Sequence, residues 1–185
     1  MDCCKQLICF KINVHTYNVI VYKKLVSLFR QYGIHRMEIG KEIKQEKFKN
    51  EHHKMLINIL FTSSWLSSKH ACCLKPYGIS VQQYNILRIL RGQHPTPVTI
   101  NLLIDRMLDK NSNASRLVEK LRLKKLVERA ICPNDRRAVN VVITQKGLAL
   151  LTELDKEEEL FLKGLKNLNT KEAEYLSSLL DKLRD

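Results

Sequence analysis

The side chains in this sequence best suited to redox or metal chemistry are its six cysteines and six histidines. Cys3, Cys4, Cys9, Cys72, Cys73 and Cys132 contain no C-x-x-C pair, so neither a zinc ribbon nor a dithiol redox motif is written here. His52-His53, and His70 beside Cys72-Cys73, raise the question of zinc, yet no second set of ligands follows at a recognisable spacing and no metal site is expected. Structural or incidental thiols are the commoner reading of the cysteines. G-x-S-x-G, H-E-x-x-H, P-loop and dinucleotide fingerprints are all missing, and Glu157 to Glu159 reads as a solvated face. The chain is therefore not expected to be an enzyme or to need a cofactor.

The other chemistry open to it is anion recognition. Of 185 residues, 32 are Lys or Arg and 19 are Asp or Glu, a net charge of +13. Residues 80–145 carry +7 of that surplus and residues 146–185 carry −2, which separates a nucleic-acid face from an assembly region. Within residues 111–126 five basic side chains stand against one acid. Asn111, Ser112, Asn113, Ser115, Arg116 and Lys120 form a polar set suited to base edges and phosphates. Arg136 and Arg137 sit near a turn, where a protruding arginine pair fits the electronegative minor groove. The duller account is a solvated helix face and ordinary turn residues.

These side chains are useful only if regular elements hold them. A helix is expected from about Glu46 to Lys69, with Met55, Leu56, Ile59, Leu60 and Phe61 on one side. Ser80 with Gln83 makes a capping box, Ile79 and Tyr84 take the staple positions, and the helix they start runs to about Arg91 before Gly92 and Pro95-Thr96-Pro97. Ile100, Leu103, Ile104 and Met107 fall at i, i+3, i+4 and i+7. After polar residues 108–113, Ala114, Leu117, Val118 and Leu121 line a second short helix, making a helix-turn-helix with Arg116 and Lys120 facing outward.

The period then changes from 3.6 to 2. Val127 to Cys132, a Pro133-Asn134-Asp135 turn and the alternating Val139, Val141 and Ile143 predict a two-stranded hairpin, or wing. Thr144 can cap a long helix to about Lys166, and Asn169 with Glu172 begins a last one, stapled by Leu168 and Ala173 and striped by Leu176, Leu179, Leu180 and Leu183. Those leucines exceed what one helical hairpin can bury, so a second copy is expected to cover them.

Two stretches carry a family resemblance: Ser115-Arg116-Leu117-Val118-Glu119-Lys120-Leu121 with Leu126-Val127-Glu128-Arg129, and Pro133-Asn134-Asp135-Arg136-Arg137 leading to Val142-Ile143-Thr144-Gln145-Lys146-Gly147. Over residues 46–185 the chain resembles the MarR (multiple antibiotic resistance regulator) family of winged-helix transcriptional regulators. The resemblance implies a homodimer on pseudo-palindromic operators, with a small-molecule or oxidant site where the DNA-binding and dimerisation parts join. It also implies an ion pair between Asp135 and Arg137 that braces the wing. Cys72 and Cys73 lie near where oxidant-sensing relatives place a reactive thiol, which makes them candidate redox sensors. One departure is Lys125, where the family has a glycine in the left-handed turn between recognition helix and wing.

The fold expected is mainly α with a small β-hairpin wing, a winged helix-turn-helix at 80–145 flanked by dimerisation helices at 46–79 and 146–185. Residues 37–185 form that single domain, and residues 1–36 are read either as a genuine extension or as sequence upstream of a natural start at Met37. The function expected is sequence-specific binding of double-stranded DNA as a homodimer, as repressor or activator, answering an effector. The alternative is a winged-helix protein-interaction module without specific DNA binding. No secretory signal is read around Leu7-Ile8-Cys9-Phe10 and no apolar run is long enough to span a membrane, so a cytoplasmic protein is expected.

Overall fold

The computed structural model describes residues 38–132 and 135–185, and their side chains except over 130–139. The expectation for residues 1–36 lies outside the described residues. The chain divides into two units, Met1–Ile59 and Leu60–Asp185. The helices are α1 (Ile39–Glu42), α2 (Glu51–Leu74), α3 (Val81–Gln93), α4 (Ile100–Arg106), α5 (Ala114–Leu123), α6 (Gln145–Lys163) and α7 (Thr170–Lys182). The strands are β1 (Val98–Thr99), β2 (Val127–Cys132) and β3 (Asp135–Ile143). This is the mainly α winged helix-turn-helix that the sequence predicts.

Local chemistry sets the boundaries. α2 starts five residues later than its apolar pattern suggests, because Asn50 Oδ1 accepts the His53 N–H at 2.9 Å and takes up an otherwise unpaired donor of the first turn. It also runs past Lys69 to Leu74, before a 3₁₀ turn over Lys75–Tyr77 and Gly78 at φ 67. The Ser80 and Gln83 capping box forms as read, and Ile79 and Tyr84 are both buried beside it. α3 continues through Gly92 to Gln93, two residues beyond the expected stop. α6 ends at Lys163, three residues short of the expected Lys166.

The sheet has three strands, not two. β3 lies between β1 and β2, and Val98 pairs with Val141 on the side away from the hairpin. A two-residue strand has no readable period, but its pairing tethers the start of α4 to the root of the wing. Asp135, expected in the turn, instead stands in β3 and pairs with Cys132, with a register shift between Ile131 and Cys132.

Leu87, Leu103, Leu121, Val141 and Leu151 expose no surface at all and come from α3, α4, α5, β3 and α6. Each such burial is worth about 1.5–3 kcal/mol, so one core holds the helix-turn-helix, the wing root and the long helix in fixed relation. α7 buries nothing, and Leu168, expected to staple it, is 46% exposed.

Candidate nucleic-acid interface

α5 is placed by its own sequence. Leu108 N–H donates to Asn85 Oδ1 at 3.0 Å, fixing the start of the turn to α3. Asp109 then organises the loop, accepting from Asn111 N–H at 3.1 Å and from Ser112 Oγ at 2.6 Å. Asn113 caps the helix by accepting the Arg116 N–H at 3.0 Å. Ala114, Val118 and Leu121 go into the core. Ser115, Arg116 and Lys120 are exposed on the other face.

The six helix-turn-helix residues expected to touch DNA are thus brought together, but in two kinds. Ser112 and Asn113 spend side-chain hydrogen bonds on the turn and cap, and Asn111 is held by its backbone. Arg116 and Lys120 have no ion pair or side-chain hydrogen bond among the described residues. Arg122 is committed elsewhere: its guanidinium grips the Glu119 carboxylate at 2.8 Å, and Arg129 from the root of β2 reaches the same carboxylate at 3.2 Å. Hydrogen bonding from Arg122 holds the Glu119 carboxyl below its ordinary pKa. The one acid on α5 is neutralised by this brace between helix and wing, a role the sequence reading gave to neither Glu119 nor Arg129. Asp109 and Asn85 were missed too, because contacts to a backbone N–H leave no periodic signature.

The exit from α5 is built as tightly. Leu126 N–H donates to Leu121 C=O at 3.1 Å and Lys125 N–H to Arg122 C=O at 2.8 Å, a full Schellman turn. It requires a left-handed residue, and Lys125 stands there at φ 60. Thr144 joins this turn to α6, its Oγ1 donating to Lys125 C=O at 2.9 Å and accepting Gly147 N–H at 3.1 Å. A Cβ on Gly147 would come within 2.4 Å of Leu126 O and 2.7 Å of Ile143 Cγ1, which accounts for the Thr-x-x-Gly pattern. The side chains of Asp135, Arg136 and Arg137 lie outside the described residues.

Cys72 and Cys73 are half-buried on α2, and neither forms a disulfide among the described residues. Cys73 lines a narrow cavity with His70, Tyr84, Glu158 and Phe161, of about 10 Å³, the space of a single water. The His70 ring stacks on Phe161 with centroids 5.3 Å apart and meets Tyr84 edge-on at 5.3 Å. Burial there lowers the imidazole pKa from its ordinary value, against the opposing pull of Glu158. Above it, Arg91 clamps Asp155 through two hydrogen bonds of 2.8 and 2.9 Å and Arg88 pairs with Glu158, tying α3 to α6. Among the described residues no cluster of His, Cys, Asp or Glu could hold a metal ion, and no helix is long and apolar enough to cross a membrane.

A model of the MarR family matches residues 77–138, which hold the helix-turn-helix and most of the wing. Over that stretch the chain is similar to the MarR family. Solved MarR-family structures extend the likeness to about three quarters of the chain. The MarR transcription factor from Planctomyces limnophilus is 27% identical, with 73% of this chain and 98% of that one covered at a TM-score of 0.58. A cysteine-to-serine mutant of MarR from E. coli, complexed with operator DNA, is 25% identical, covering 75% and 99% at 0.63. Bordetella bronchiseptica BpsR, whose DNA binding is regulated by 6-hydroxynicotinic acid, shares the fold at 22% identity, 69% and 99% coverage and 0.58. A search of curated proteins finds no match.

Proposed function

We propose that this chain is a sequence-specific DNA-binding transcriptional regulator that acts as a homodimer. The observation that carries this reading is the outward face of α5: Arg116 and Lys120 are exposed and unpaired, while the neighbouring acid Glu119 is occupied by Arg122 and Arg129. A merely solvated face has no reason to satisfy its acid and leave its bases free. α5 enters the major groove, Ser115, Arg116 and Lys120 read bases and phosphates, and Asn111, Ser112 and Asn113 approach the backbone with the hydrogen-bonding capacity their turn leaves them. Arg136 enters the adjacent minor groove, with Arg137 braced by Asp135. The operator complex of the E. coli relative supports the assignment.

The protein works as a repressor by occupying its operator and is released by a signal, a small molecule as for BpsR or oxidation at Cys72 or Cys73. Binding to genomic fragments, measured against salt, tests the DNA reading. A dimer making 6 to 10 phosphate contacts loses about 10³- to 10⁵-fold in affinity between 50 and 200 mM salt while keeping its preference for one sequence. Arg116→Ala and Lys120→Ala each cost about 1–3 kcal/mol of operator affinity with the fold intact. Binding without sequence preference, or unchanged affinity in both variants, overturns the assignment.

A further inference from the structure

α5 turns about 100° per residue, which places Glu119 on the side away from the buried Ala114, Val118 and Leu121. Arg116 and Lys120 stand to one side of it and Arg122 to the other, so the one acid of the helix sits among the cations of its outward face. Both of its oxygens are taken. Arg122 Nε donates to Oε1 at 3.1 Å and to Oε2 at 3.0 Å, and Arg122 Nη2 donates to Oε1 at 2.8 Å. Arg129 Nη1 reaches Oε2 from β2 at 3.2 Å. The Arg122 hydrogen bonds lower the Glu119 pKa and raise that of Arg122, so both groups stay charged at neutral pH. All three side chains remain partly exposed, within reach of an approaching phosphate. Exposed ion pairs add little to stability, so the fold has small need of a second arginine brought across from the wing strand. On a surface that meets a polyanion the consequence is larger, because one carboxylate here occupies two guanidiniums.

We infer that Glu119 is a specificity-determining residue, which locks Arg122 and Arg129 away from the DNA backbone and so restrains binding to duplexes that lack the operator. Non-specific affinity comes from phosphate contacts, and each available cation adds to it whatever the sequence. Base edges are read chiefly by the N-terminal residues of a recognition helix. Arg116, in the first turn of α5, is unpaired among the described residues, whereas Arg122, in the last turn, is held. In a genome the quantity that counts is the ratio of operator to random-sequence affinity, and an arginine that grips any phosphate lowers it. The lock concerns polyanions in general. Its effect on sequence preference rests on the DNA-binding function proposed above.

The salt needed to elute the full chain from heparin, a polyanion without base sequence, tests the lock. Glu119→Gln should elute later than the parent chain, with an unchanged circular dichroism spectrum. Adding Arg122→Gln and Arg129→Gln should restore the parent position, because the triple variant then lacks only cations that the parent does not use. Elution of Glu119→Gln with or before the parent overturns the lock. A triple variant displaced in either direction overturns it as well: later elution assigns the gain to the lost acid alone, and earlier elution means that the arginines were already in use. Sequence preference is read separately by anisotropy, on a duplex selected from genomic fragments and on a random one. Two released arginines steepen the salt dependence by up to about 1.8, so between 50 and 200 mM salt the random-sequence affinity of Glu119→Gln should fall about tenfold further than the parent's. A merely structural role for Glu119 would leave that slope unmoved. The selected-to-random ratio should drop at least about threefold at 50 mM salt. An unchanged ratio overturns the specificity step and not the lock, whereas a parent chain without preference for any duplex overturns the DNA-binding function and the specificity step together and leaves the heparin result standing.

Discussion

Lys125 is held at φ 60, a backbone conformation that costs a side-chain-bearing residue about 1 kcal/mol relative to glycine. The Schellman bonds from Lys125 and Leu126 and the bond from Thr144 Oγ1 to the Lys125 carbonyl keep it there. Its side chain is exposed, so little packing is lost on truncation. Lys125→Gly is therefore expected to raise the unfolding free energy by up to about 1 kcal/mol, with some of the gain offset by the greater freedom of glycine in the unfolded chain. Urea denaturation checks it, and a marked loss of stability would mean that the lysine side chain does more than tolerate its turn. The adjoining polar residues divide on the same local grounds. Asn113 and Ser112 are partly engaged by main chain and Asp109, whereas Arg116 and Lys120 project free.

Between elements, the joint of α5, β2 and α6 is where the packing leaves least room. Gly147→Ala would push a methyl group into Leu126 O and the Ile143 side chain, both parts of the buried wing root, so a loss of about 1–3 kcal/mol of stability is expected by thermal or urea unfolding. The joint of α2, α3 and α6 is sensitive to pH instead. His70, between Tyr84 and Phe161, has its pKa lowered chiefly by burial, so the unfolded chain takes up that proton first. Its contribution is complete above the unfolded value of 6.5 and is lost as pH falls through that value toward the folded one. Comparing unfolding at pH 7.5 and 5.5, His70→Gln should show a smaller acid loss than the parent chain. An equal loss would assign the acid sensitivity to other groups.

At this scale the sequence was most legible where one interaction repeats. Apolar spacing located α3, α4 and α5, and the capping residues Ser80, Asn113, Thr144 and Asn169 lie at or beside the predicted starts. The start of α2 was misplaced because Glu46 to Asn50 are as compatible with a helix as the residues that follow, and only the Asn50 cap decides. β1 was invisible because Val98 and Thr99 become a strand solely by pairing with Val141 and Asn140. The Glu119 brace was hidden for a similar reason. Arg129 lies ten residues on, and only the return of β2 past α5 brings the two together.

For the whole molecule, the unresolved balance is hydrophobic. On α7, Leu176 is 45%, Leu179 44% and Leu183 53% exposed, and Met55, Leu56 and Leu60 of α2 are also exposed. Covering the exposed half of each such side chain is worth about 1 kcal/mol, and a stripe of them in a chain with a fully buried core elsewhere favours a second copy. A two-fold axis makes this economical, since one stripe meets its own mate. It also fixes what the DNA must look like. Two α5 helices reach successive major grooves when they stand about 34 Å apart, so the operator should be an inverted repeat with half-site centres about 10 base pairs apart or a near multiple. Replacing Leu179 and Leu183 with Asp leaves the core built from Leu74 to Leu154 untouched, because neither side chain contributes to it. The expected product is a monomer by sedimentation that has lost tight operator binding, with the helix-turn-helix still folded by amide exchange. A dimer that survives both substitutions would move the interface off α7, and a stable monomer of the unmutated chain would remove both the dimer and the palindrome.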